Sequence, residues 1–146
     1  MTIRFLLLVV LAGLPFAAAS AAKEVAGQAD LPQSLTCPYT GGAGPFVETG
    51  IEVPLQTRAG TVLITASMEI VLSPNAGFLI RPAIDGAAQD GAQALHFIGG
   101  AQGETTTLSF SRAYDVEAGP HTFRLQFSCQ GGVSARAGWL TVIQVR

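Results

Sequence analysis

Twelve consecutive residues, Thr61 to Leu72, alternate without a break. Val62, Ile64, Ala66, Met68, Ile70 and Leu72 fall on one side, and Leu63, Thr65, Ser67, Glu69 and Val71 on the other. Side chains two apart share a face only in an extended strand, so this stretch predicts a strand that buries one side against a core. A helix would need apolar residues three and four apart, and no such period persists beyond the first 22 residues.

The rest of the chain repeats the theme in shorter form. Ser73-Pro74-Asn75-Ala76-Gly77 reads as a turn, because Pro fixes φ and Asn or Gly tolerates positive φ. Phe78 to Asp85 follows as the partner strand of 61–72, and Pro82 within it, lacking an N–H, predicts a sheet edge or a bulge. Ala94 to Ile98, Thr105 to Val116, His121 to Cys129 and Gly138 to Val145 are further extended runs, separated by Gly-rich turns. With a weaker pair at Phe46–Val47 and Ile51–Leu55, the reading is seven or eight strands in a single antiparallel β-sandwich spanning residues 37–146. A small closed barrel is the alternative. Residues 23–36 keep no period and are expected to form a loose N-terminal arm.

The first 22 residues have another purpose. Arg4 precedes the apolar run Phe5–Leu14, Pro15 interrupts it, and Ala19-Ser20-Ala21 fits a small-residue cleavage pattern. The expectation is a signal peptide cut after Ala21 or Ala22, delivering a periplasmic or secreted protein with no membrane span after cleavage. An uncleaved anchor is the competing reading. Export permits Cys37 and Cys129 to form a disulfide, which would close a loop of about 90 residues and contribute about 4.5 kcal/mol in the chain-entropy model. Two buried free thiols are the alternative.

Composition narrows function more by exclusion than by assignment. Charged residues make up 12% of the chain, and the formal net charge is -2. The eight Lys and Arg stand singly, so no basic stripe exists for a nucleic acid, and none is expected as a partner. No HExxH, GxSxG, P-loop or CxxC occurs, and no cofactor is expected. His96 and His121 lie in strand-like runs without a second His or Cys at ligand spacing. Asp85 and Asp90 share a loop that offers oxygen ligands for Ca²⁺, but each precedes Gly, which is the pairing of a tight turn.

The order of features resembles the C1q/TNF-like jelly roll. It runs from a long alternating strand at Gly60-Thr61 through an Ile84-Asp85-Gly86 turn and a Thr/Ser strand. An Ala118-Gly119 turn then leads into another alternating strand, and Gly138-Trp139-Leu140 opens the last one. Val62, Leu63 and Ile64 stand where that family carries an aromatic-rich segment. The resemblance implies a compact recognition or structural module without catalysis, assembled as a trimer. Similar sandwiches occur in phage-tail and capsid proteins and in carbohydrate-binding modules.

The functional expectation is an exported, non-enzymatic module for binding or assembly, with a homo-oligomer as one partner class and a glycan or surface as the other. Trp139, Tyr114 and Tyr39 are the flat aromatic rings available for stacking, and Arg81 and Arg124 are placed on outward strand faces. A lectin-like carbohydrate-binding module is the first alternative. A small exported hydrolase is the second, for which His96 and His121 would be the residues to replace.

Overall fold

The computed structural model describes residues 26–37, 44–89, 93–96 and 103–145. The expected signal peptide, Tyr39 and Asp90 lie outside the described residues. The strands are β1 (Ala26–Asp30), β2 (Leu35–Thr36), β3 (Val47–Thr57), β4 (Gly60–Leu72), β5 (Gly77–Ile84), β6 (Ala87–Ala88), β7 (Gln93–His96), β8 (Glu104–Val116), β9 (Gly119–Gln130) and β10 (Ser134–Gln144).

The alternation in β4 does what its period demands. Val62, Ile64, Ala66, Met68, Ile70 and Leu72 are all buried, whereas the intervening side chains are half-buried or exposed. β4 sits between β10 and β8 in a sheet of order β1-β10-β4-β8, with β2 also pairing β10. The second sheet has the order β3-β9-β5, with the short β6 and β7 both pairing the far side of β5. Every pairing is antiparallel. Between the sheets, the β4 row meets Ile51 and Val53 of β3, Phe78 and Ile80 of β5, and Phe123, Leu125 and Phe127 of β9. Phe78 and Phe127 stack with ring centroids 5.6 Å apart. The chain is thus an all-β sandwich of two antiparallel sheets, as the sequence predicts.

Three expectations are corrected. β5 is not the partner of β4: the turn Ser73–Ala76, closed by the Ala76 N–H on the Ser73 carbonyl at 3.2 Å, carries the chain from one sheet to the other. Within one sheet, β4 pairs β8 and β10 instead. Pro82 marks neither an edge nor a bulge. It pairs with Leu125 of β9 in an unbroken register. Its carbonyl accepts from Gln89 on the other side. A strand residue turns its N–H and C=O the same way, so the missing N–H faces the gap between β7 and β6 and costs the β9 ladder nothing. Finally, residues 26–30 are a strand rather than a loose arm, in register with β10 from Ala26↔Ile143 to Asp30↔Trp139.

The disulfide between Cys37 and Cys129 is formed, with Cα atoms 5.8 Å apart. It joins the chain just past β2, on the first sheet, to β9 on the second.

Candidate functional site

Each sheet has one face in the core and one facing out, so the site is sought on the two outer faces and at the sandwich ends. On the first sheet, partner residues in the register share a face. The outer rows therefore read Asp30, Trp139, Ser67, Ser109; then Gln28, Thr141, Thr65, Ser111; then Ala26, Ile143, Leu63, Ala113. Asp30, at the β1 border, is the single charged side chain in these three rows. Thr65 Oγ1 and Ser111 Oγ bond across β4 and β8 at 3.1 Å. In the next row Thr61 Oγ1 donates to Asp115 Oδ1 at 2.8 Å. The result is a hydroxyl-rich face carrying Trp139, Ile143 and Leu63, all half-buried on their own sheet.

The second sheet faces outward with a bonded polar ladder. Arg81 Nε donates to Gln126 Oε1 at 2.9 Å, and Gln126 Nε2 donates to Glu48 Oε1 at 2.8 Å. The Arg81 guanidinium also lies 3.8 Å over the Phe46 ring. Arg124 Nε donates to Glu52 Oε2 at 2.8 Å, and this carboxylate raises the already high pKa of the guanidinium. β3 reaches Arg124 and Gln126 with two residues to spare, because the register shifts between Glu48 and Glu52 around Gly50 at φ +83°. Thr49 fills the gap: its hydroxyl donates to the Leu125 carbonyl at 2.7 Å and accepts from Ile51 N–H at 3.1 Å.

One end of the sandwich is closed by a third cluster. Asp85 and Gly86 both have positive φ, 52° and 82°, which is the two-residue hairpin the Asp-Gly pair predicts. Asp85 Oδ1 accepts from Thr122 N–H at 2.8 Å, and Oδ2 lies 2.6 Å from His121 Nδ1. His121 Nε2 lies 3.0 Å from the Glu117 carbonyl. The backbone N–H of Thr122, then His121, hold the Asp85 carboxyl below its usual range, while Asp85, then the Glu117 carbonyl, raise the His121 pKa. Both oxygens of Asp85 are engaged, and both nitrogens of His121 are used. The pair thereby ties the Asp85-Gly86 turn to the start of β9 as a corner clamp.

The sequence-derived candidates do not converge. Trp139 stands on the outer face of the first sheet, whereas Arg81 and Arg124 stand on the outer face of the second. Tyr114 pairs with Val62 and packs against the core, so it lies on the inner side at the β8 edge rather than beside Trp139. Arg112, aligned with Ile64, shares that inner parity but is exposed at the edge. His96 ends β7. The hydroxyl rows and the Glu48 and Glu52 partners escaped sequence reasoning; the Thr/Ser alternation in 105–111 was the available signal for the former.

No protein-family model and no curated protein matches the sequence. Solved structures do match by fold. Eiger TNF from S. frugiperda is similar over 84% of this chain and 93% of that one, at 9% identity and a TM-score of 0.52. Murine APRIL is similar over 84% of this chain and all of that one (100%), at 8% identity and a TM-score of 0.51. A structure of infectious bursal disease virus, Gx strain, is similar over 84% of this chain but 32% of that chain, at 11% identity and a TM-score of 0.61. The likeness is one of fold: two packed sheets, β1-β10-β4-β8 and β3-β9-β5 with β6 and β7 on the far side of β5, resembling a TNF/C1q-like jelly roll.

Proposed function

We propose that this chain is an exported, non-enzymatic β-sandwich module that binds or assembles through the outer face of β1-β10-β4-β8. The carrying observation is the contrast between the two outer faces. On the second sheet Arg81, Gln126, Glu48, Arg124 and Glu52 satisfy one another. On the first sheet Trp139, Ile143 and Leu63 stand among hydroxyls, and the charges of that face, Asp30, Glu69 and Asp115, lie on the β1 border or in the rows flanking these three. A weakly charged face with one large aromatic is inexpensive to desolvate, and Trp is a residue type that anchors interfaces. The disulfide supports the exported reading, since such bonds persist in oxidising compartments.

Trp139 is the single Trp of the chain, so its emission reports this face alone. A blue shift as protein concentration rises supports assembly of copies through the face. A shift on adding oligosaccharides favours the glycan reading instead, for which Gln28, Asp30 and Ser67 beside Trp139 supply the polar groups. Constant emission under both titrations overturns the assignment of this face.

A further inference from the structure

A sheet edge is a row of unpaired N–H and C=O groups, and proteins blunt such edges with prolines, bulges, charge or shortness. Three of the four edges here follow that rule. β3 carries Pro54, the register shift at Gly50 and outward Glu48 and Glu52. β1 has five residues, and β6 and β7 have two and four. β8 breaks the rule. It runs for 13 residues without Pro or Gly and holds one uninterrupted register with β4, its only partner among the described residues.

The phase of its backbone follows from its neighbours. Val145 N–H donates to the Thr61 carbonyl, so odd-numbered residues of β4 turn their peptide groups toward β10 and even-numbered ones toward β8. The pairs Met68↔Leu108 and Ala66↔Phe110 therefore exchange bonds, and Thr105, Thr107, Ser109 and Ser111 aim theirs at the open edge.

We propose that β8 pairs antiparallel with β8 of a second copy of this chain about a two-fold axis at Leu108. In that register Thr107 exchanges two backbone bonds with Ser109 of the second copy, and Thr105 does so with Ser111. Glu104 then stands opposite Arg112 of the second copy, twice over. Neither residue has an ion-pair partner within its own chain among the described residues. Registers displaced by two residues place Glu104 opposite Phe110 or Tyr114, so this alignment alone matches the charges. On the inner side Leu108 meets its own copy and Thr106 meets Phe110, prolonging the apolar layer. The contact is isologous and closes on itself, which stops edge pairing at two copies.

The mass of the exported, oxidised protein by light scattering tests this directly. The expected result is a dimer. Ser109→Pro removes an N–H that faces away from β4, so the fold stands while the dimer is lost. Glu104→Arg and Arg112→Glu each weaken dimerisation by about tenfold, because two rim pairs change at once. The double swap E104R/R112E restores it, a rescue that damage to the fold would not give. A monomer or a trimer at high micromolar concentration overturns the proposal, as does failure of the double swap to rescue.

Discussion

The His121 ring is held by two acceptors, the Asp85 carboxylate and the Glu117 carbonyl, and an imidazole can satisfy both only as the doubly protonated cation. Its folded pKa is raised above 6.5, so its contribution to stability is complete below about 6.5 and is lost as pH rises through the folded value. Asp85 works in the opposite sense. Its folded pKa lies below 3.8, so its contribution is complete above the unfolded value and disappears as pH falls through the folded one. The clamp is therefore strongest between about pH 4 and 6.5. Urea unfolding of the wild type should show a fall in stability from pH 6 to pH 9, and His121→Asn should flatten that slope. Asp85→Asn should cost about 1 kcal/mol at pH 5.5, a low figure because the Asp85 carboxylate is half exposed. Thr49 carries a second residue-scale prediction. Thr49→Val keeps the shape but leaves the Ile51 N–H and the Leu125 carbonyl unpaired in the core, costing about 2 kcal/mol by the same measurement.

Among elements, β1 shows why part of this fold was legible and part was not. β4 announces itself because six inner positions each carry a full side chain against an open core. β1 lies so close to β3 that its inner positions are Gly27 and Ala29, and a Cβ on Gly27 would stand 2.5 Å from Val53 Cγ1. Close approach erases the alternation that sequence reading depends on, which is why residues 23–36 read as a loose arm. Turn residues mislead in a related way: Ser73-Pro74-Asn75-Ala76-Gly77 has the composition of a hairpin, but composition does not say whether a turn stays in its sheet or crosses to the other. The candidate face suffered from the same limit. Trp139 was visible only as an aromatic ring available for stacking; that it faces outward with Ser67 and Asp30 beside it depends on β10 lying between β4 and β1, which no local pattern encodes. The close packing of β1 is itself testable. Gly27→Ala should push β1 off Val53 and cost about 1–3 kcal/mol as an overpacking change. Amide exchange at Ala29, and at the β10 residues paired with β1, should accelerate while that of β9 stays slow.

At the scale of the molecule, the two sheets are held by the apolar layer and by one covalent bridge. The layer alone is thin at the Cys37 end. There β2 contributes two residues, and the Cys37 N–H donates to the Val133 carbonyl at 2.8 Å. The bridge spans 92 positions of sequence and fastens this light end of the first sheet to Cys129 in the buried row of β9. Cross-linking so long a loop removes conformational freedom mainly from the unfolded chain, by about 4–5 kcal/mol in the chain-entropy model. Reduction should therefore lower the urea midpoint sharply without changing the pairing of β4 with β8 and β10, whose registers lie wholly outside the bridged contact. Paired denaturation curves with and without reductant, followed by far-ultraviolet circular dichroism at zero denaturant, separate the two outcomes. A lower midpoint with an unchanged strand spectrum places the effect of the bridge in the unfolded chain. Loss of the strand spectrum on reduction would instead make the bridge a condition for the sheets meeting at all.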